Sequence, residues 1–145
     1  WLADHDMKDK RVIDYGCGSG ILGLAAACLG ASEVIAVDID PQALQATENN
    51  ARQNGLESRV IPVYPGDDRL KQTDILLANI LLNPLSELVG TFKSHLGEGG
   101  EIVLSGILAY QAEACMNTYS PWFEFNPPVF QDEWVMLSGV RNQVI

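Results

Sequence analysis

Cysteine, histidine and basic residues are all scarce in this 145-residue chain. The three cysteines, Cys17, Cys28 and Cys115, are odd in number and form no C-x-x-C pair, which excludes a disulfide framework. The two histidines, His5 and His95, lie far apart, so no metal site is expected. No run of about 18 apolar residues occurs, and the start carries no signal-peptide pattern; a membrane span and an export route are both disfavoured. Lys and Arg number 9 against 19 Asp and Glu, a formal charge of −10. A surface that acidic repels phosphate backbones and anionic lipids, so neither direct nucleic-acid binding nor membrane binding is expected, whereas a basic protein partner would be attracted. The setting that fits is a reducing cytoplasm. The chain also opens on Trp1 without an initiator methionine, which suggests a piece of something longer.

The length is that of one ordinary domain, and 47% hydrophobic with 19% charged residues is a globular composition. Strand-like and helix-like segments alternate along it. Strands are expected over 11–15, 32–38, 60–64, 74–78 and 101–104, the fourth an unbroken apolar run after Asp74, as suits a strand buried on both faces. Between them, 21–29 reads as a buried helix ending near Gly30, and the helix after Asp40-Pro41 starts on a cap and a proline at its first position. Helices are also expected over 84–95 and 108–119. Residues 123–130 and 134–140 then read as two strands with no helix between them. The expectation is an α/β fold: a doubly wound, mostly parallel seven-stranded sheet with helices on both faces and an antiparallel C-terminal hairpin.

In such sheets ligands sit at the carboxyl ends of the strands. The loop Asp14-Tyr15-Gly16-Cys17-Gly18-Ser19-Gly20 lies there, and glycines let a ligand approach the backbone. Its spacing is G-x-G-x-G, with Ile21 where a dinucleotide loop would carry its third glycine. Asp14 would repel a pyrophosphate but suits a cation, such as the amino group of a methionine moiety. Asp38, 22 residues beyond Gly16, is placed to accept both hydroxyls of an adenosine ribose. NAD sites share that device, so Asp38 indicates a nucleoside. Asp14, Gly16, Gly18, Gly20 and Asp38 together point to S-adenosyl-L-methionine. Asp67 could bond the adenine amino group, or be a solvated turn acid. After the fourth strand comes Asn79-Ile80-Leu81-Leu82. The Asn79 carbonyl, with the backbone carbonyl of Ile80, could hold a nucleophilic amine by its N–H groups and aim its lone pair at a sulfonium methyl. The competing reading of Asn79 is a helix N-cap.

The stretches D-Y-G-C-G-S-G-I-L, V-D-I-D-P-Q-A, A-N-I-L-L-N-P-L and L-S-G-I-L resemble one bacterial family, the methyltransferases of ribosomal protein L11. The likeness runs from about residue 11 to 140, with the Gln111-Ala112-Glu113 and Glu133-Trp134 segments fitting as well. It implies a Rossmann-like catalytic domain over 1–145 that uses S-adenosyl-L-methionine to methylate lysine or α-amino groups of a ribosomal protein. It further implies that Gly16 and Asp38 contact the cofactor and that Asn79 lies beside the methyl donor and the amine. The family usually reads N-I-L-A where this chain has Leu82, and its N-terminal substrate-recognition domain is absent from this sequence. Other readings are a related N-methyltransferase acting on glutamine, nucleic acid or a small molecule, or a cofactor-binding fragment inactive alone. An NAD-dependent dehydrogenase is disfavoured by Ile21 and Asp14.

Overall fold

The computed structural model describes residues 1–79 and 85–142. The chain forms two compact units, Trp1–Thr73 and Asp74–Ile145.

In the first unit a 3-10 turn over Leu2–Asp4 precedes β1 (Arg11–Tyr15), α1 (Ile21–Cys28), β2 (Glu33–Val37), α2 (Pro41–Gln53) and β3 (Val60–Val63). The strands pair in parallel in the order β3-β2-β1, with Arg11 opposite Glu33 and Val34 opposite Val60. Parallel strands joined by helices are covered on both faces, and Val12, Ile13 and the run from Val34 to Val37 are accordingly buried. The Asp40 side chain accepts the Gln42 N–H at 2.9 Å, and Pro41 opens α2, as expected.

The expectation for α1 needs correction. It is a helix, but not a buried one: Ile21 is 69% exposed, and Leu22, Cys28 and Leu29 also face solvent. Only Gly23, Ala26 and Ala27 are buried along it. These small residues bring the helix backbone close to the sheet. A Cβ at residue 23 would lie 2.9 Å from Val34 Cγ1. Close packing through small side chains turns the larger apolar ones outward.

The second unit contains β4 (Thr73–Asn79, its first residue belonging to the first unit), α3 (Leu85–His95), β5 (Leu96–Leu108), a 3-10 turn (Ala109–Gln111), α4 (Ala112–Tyr119), β6 (Phe123–Phe125), β7 (Val129–Gln131) and β8 (Trp134–Arg141). The order is β4-β5-β8-β6, with β7 on β8 as well. The final strands are antiparallel, and β7–β8 is a hairpin closed by the two-residue turn Asp132-Glu133 between Gln131 and Trp134. The strands among the described residues number eight rather than the expected seven. Pro127 and Pro128 cannot donate to a ladder, so they divide the run expected over 123–130 into β6 and β7. Phe92, Tyr119, Phe123 and Phe125 form an aromatic core, Tyr119 lying 6.0 to 6.5 Å from the other three ring centres.

β5 also departs from expectation, extending from Leu96 to Leu108 instead of 101–104. Its register on β8 slips between Leu104, opposite Leu137, and Ile107, opposite Val135. Three steps on β5 therefore face two on β8, a bulge at Ser105-Gly106. Gly106 takes the positive φ of 76° that this kink requires. None of the helices among the described residues is long and apolar enough to cross a membrane.

Two glycines in the second unit test the packing in opposite directions. A Cβ on Gly139 would sit 2.7 Å from the Glu124 carbonyl oxygen, so Gly139→Ala should force β6 from β8 and cost about 1–3 kcal/mol. Gly90, on α3, has open space around it, and Gly90→Ala should stabilise by about 0.5–1 kcal/mol. Urea unfolding of both variants checks the signs; equal stability for the Gly139 variant would mean that β6 shifts without cost.

Candidate functional site

The loop after β1 is held from three directions. The amides of Gly16 and Cys17 both donate to the Val37 carbonyl, at 2.8 and 3.0 Å, tying the loop to the end of β2. The Gly18 N–H donates to Asp38 Oδ2 at 3.0 Å, while Asp40 N–H takes the other oxygen, Oδ1. From α2, the Thr47 hydroxyl donates to the Gly18 carbonyl at 3.0 Å and Asn50 Nδ2 donates to the Ser19 carbonyl at 2.9 Å. Gly20 has a φ of 86°, and a side chain there would meet Thr47 Cγ2 at 2.8 Å. Its lack of a side chain serves the packing of the loop on α2. The space over Gly18, by contrast, is open, and that residue is exposed. Cys17 is buried, with its sulfur 3.5 Å from the Thr47 hydroxyl, and burial pushes its thiol up to about 11.

Asp14 lies beneath this loop and is only 2% exposed. Its Oδ2 accepts the Gly23 N–H, in the first turn of α1, at 3.1 Å. Burial pushes the Asp14 carboxyl up to about 6; the Gly23 hydrogen bond opposes the rise and the charge of Asp38 adds to it. The two carboxylates are thus close enough to feel each other. A cation bearing hydroxyl groups is the ligand chemistry that such a pair best accommodates; a phosphate is the worst.

The other expected residues fall elsewhere. Asp67, beyond β3, has both oxygens engaged by Arg69, through Nε at 2.9 Å and the NH2 nitrogen at 2.9 Å. The Arg69 hydrogen bonds hold its carboxyl down at about 2. An adenine amino group at Asp67 would share oxygens already taken by a guanidinium. Asn79 ends β4 in the second unit and is exposed. Ile80 lies outside the described residues. Asn79 lines a cleft of about 300 Å³ with Ser105, Val129, Gln131, Trp134 and Met136. The β5 bulge shapes it: Ser105 donates its hydroxyl to the carbonyl of Ala78, the neighbour of Asn79, at 3.3 Å.

Reading the sequence missed Thr47, Asn50, Ser105, Gln131 and Trp134. Thr47 has no local signal, since a polar residue inside a helix normally faces water. Ser105-Gly106 did have one: a Ser-Gly pair interrupting an otherwise apolar strand is the mark of a bulge.

Comparison with known proteins adds the family. The model of the family "Ribosomal protein L11 methyltransferase" matches residues 1–142. The chain is 50% identical over 142 residues to the ribosomal protein L11 methyltransferase of Cellvibrio japonicus, covering 97% of this chain and 48% of that protein. It is 54% identical over 143 residues to the one from Methylococcus capsulatus, covering 98% and 49%. The chain thus spans about half the length of the curated relatives it matches. Among solved structures, a ribosomal protein L11 methylase from Lactobacillus delbrueckii subsp. bulgaricus is 31% identical, with a TM-score of 0.88 over 98% of this chain and 75% of that one. An RNA methyltransferase from Salinibacter ruber, in complex with S-adenosyl-L-homocysteine, is 16% identical with a TM-score of 0.77, covering 99% and 89%, a likeness of fold alone.

The Asp14 shift has a consequence for stability. A carboxyl raised from 3.8 to about 6 holds its proton in the folded chain where the unfolded chain has released it. Its contribution to stability is therefore present at acid pH and is lost as pH rises through about 6. Asp14→Asn keeps an oxygen for the Gly23 amide and removes the titration. At neutral pH it should be more stable than the parent, by an amount on the order of 1–3 kcal/mol, with a flatter profile across the acid range. Urea unfolding as a function of pH measures this; a destabilised variant would contradict the cost assigned to the ionised group.

Proposed function

From the premise that this chain belongs to the ribosomal protein L11 methyltransferase family, we propose that it is the catalytic domain of an S-adenosyl-L-methionine-dependent N-methyltransferase acting on lysine or α-amino groups of that ribosomal protein. The observation that carries this reading is the Asp38 carboxylate, fixed by the Gly18 and Asp40 amides next to the buried Asp14. Each carboxylate oxygen has a second lone pair, so Asp38 can accept one ribose hydroxyl on each oxygen without giving up its amide bonds. Ile39 follows it at 80% exposure, an apolar surface against which a nucleobase can lie. Gly16 and Gly18 bring the backbone to the ligand while Gly20 seats the loop on α2, and the combined charge of Asp14 and Asp38 favours a cationic methionine portion. Asp67 stands as a second-choice contact to the base, since it must be shared with Arg69.

When bound, the cofactor supplies a methyl group carried on a sulfonium. Transfer would form a C–N bond to the acceptor amine as the C–S bond breaks, with the electron pair left on the sulfur of S-adenosyl-L-homocysteine. In this reading Asn79 accepts a hydrogen bond from the amine N–H through its side-chain carbonyl, and the Ile80 carbonyl accepts another. Held in this way, the lone pair is free to point along the line of displacement, and positioning supplies most of the acceleration. No general base is assigned; the amine enters neutral after losing its proton to solvent.

The acidic balance of the chain suits a basic protein acceptor and repels a nucleic acid. A reducing compartment such as the cytoplasm suits the three free cysteines. The half of the relatives' length that this sequence does not span is where this reading places recognition of the whole ribosomal protein.

Calorimetry with this chain should show binding of S-adenosyl-L-homocysteine and none of NAD. The reverse pattern would overturn the reading. Asp38→Ala should weaken cofactor binding by on the order of 1–3 kcal/mol, and an unchanged affinity would remove Asp38 from the site. In the full-length protein, Asn79→Ala should lower the methylation rate roughly 10- to 100-fold while cofactor affinity holds, as followed by mass spectrometry of ribosomal protein L11. Methylation at the parental rate would remove Asn79 from the reaction.

A further inference from the structure

The second unit carries a groove that the site described above does not use. Successive side chains of β7 point to opposite faces, so Val129 and Gln131 line the Asn79 cleft while Phe130 turns away from it. On that other face Phe130 and Pro128 meet Tyr110, Glu113, Met116 and Asn117 around a groove of about 530 Å³. Tyr110, Glu113 and Asn117 recur at helical spacing, so the 3-10 turn and α4 form one wall and β7 the other. Tyr110 is 80% exposed and Phe130 57%, an aromatic ring left in water on each wall. The Ala109 N–H donates to the Glu133 carbonyl at 2.7 Å, which ties the acidic turn Asp132-Glu133 to the residue before Tyr110. Glu113 is the charged side chain of the lining, and no basic group stands by to neutralise it. Lys93 and Arg141 are the only Lys and Arg in residues 74–145. Both are engaged at Trp122: Lys93 Nζ lies 4.2 Å from its ring centre, and Arg141 donates to its carbonyl at 3.2 Å.

We propose that this groove docks a basic segment of the acceptor protein, with an arginine side chain lying against Tyr110 and Phe130 and pairing with Glu113. This rests on the function proposed above and adds a recognition surface outside the amine's own cleft. Charge complementarity selects the occupant. Arginine is weakly hydrated, stacks on aromatic faces and offers a carboxylate two N–H groups at once. Lysine, a compact and strongly hydrated charge, gains less from the two rings. An acidic segment would meet Glu113, Asp132 and Glu133 together and be repelled. A purely apolar segment would cover the Glu113 carboxylate and give it no partner. The groove is roomy enough for more than one side chain, and Met116 and Pro128 offer apolar surface to the residues beside the arginine. β7 is three residues long, all exposed, so a bound chain passes over it from groove to cleft within a few residues.

The test pairs a peptide titration with kinetics. This chain is titrated with acetyl-Gly-Arg-Gly-Arg-Gly-amide and with its citrulline counterpart, which keeps the shape and loses the charge, following backbone amides by NMR. The arginine peptide should shift residues 109–117 and 128–131 and bind roughly threefold or more tighter than the citrulline one. That gap should close in about 0.5 M salt and in Glu113→Gln. In the full-length enzyme, the Y110A/F130A variant should raise KM for ribosomal protein L11 roughly tenfold and Glu113→Gln roughly threefold. Turnover and affinity for S-adenosyl-L-homocysteine should stay within about twofold of the parent. Equal binding of the two peptides, or shifts that avoid the groove, overturns the proposal. A parental KM in both variants overturns it as well, even where the peptide binds this chain. Self-association of this chain that Y110A/F130A abolishes, measured by sedimentation, overturns it in favour of a second copy as the occupant. A full-length parent that does not methylate the ribosomal protein defeats the function proposed above, and the peptide titration then decides the groove by itself.

Discussion

The hydrogen bond from the Gly23 amide to the buried Asp14 carboxylate is the constraint on which the first unit turns. It joins the fourth residue of β1 to the first turn of α1, and so holds together the two ends of the glycine loop. Burying that carboxylate is costly, as its rise to about 6 shows, and one amide bond does not cancel the cost. In the proposed reading that cost is carried because Asp14 serves the cofactor. The small face of α1 follows from the same geometry, because Gly23 must approach both Asp14 and Val34 closely. The outward Ile21 and Leu22 are the by-product.

An analogous role falls to the β5 bulge in the second unit. Without the extra residue at Ser105-Gly106, β5 would run in register along β8, and Ser105 would not reach the Ala78 carbonyl next to Asn79. The bulge therefore does two things at once. It fixes the end of β4 and opens the wall of the cleft in which Asn79 lies. The Pro127-Pro128 pair complements it by ending β6, which frees β7 to form its own hairpin with the start of β8.

How much of this the sequence disclosed depends on the range of the interaction. Asp40-Pro41, the glycine spacing and the apolar β4 are local signals, and each appears in the structure where its residues predicted. The place of Asp38 at the end of β2 was legible too, but its bond to the Gly18 amide, across 20 residues, was not among the expectations. What could not be read were pairings decided by side-chain packing between distant segments. Thr47 reaches Gly18 across 29 residues, and nothing in its helix marks it. The exposure of α1 was hidden for a related reason: nine apolar or small residues in a row give no direction, and only the sheet decides which side is covered. Trp134, in a segment that fits the family, had no role assigned from sequence; β7 and β8 set it in one cleft with Asn79.

The distribution of charge then becomes intelligible as chemistry instead of composition. A sulfonium donor is a cation, and a lysine acceptor must be neutral to attack it, so the two reactants make opposite demands on their surroundings. In the proposed reading these demands are met by separate sets of residues. Asp14 and Asp38 supply negative charge where the donor binds, at the expense of an Asp14 carboxyl that resists ionisation. Among the described residues no charged side chain lines the Asn79 cleft, where in this reading the amine must be neutral. A net charge of −10 therefore says little by itself. A uniformly acidic pocket would bind the ammonium more tightly and react more slowly, because it would stabilise the protonated form that has no lone pair to give.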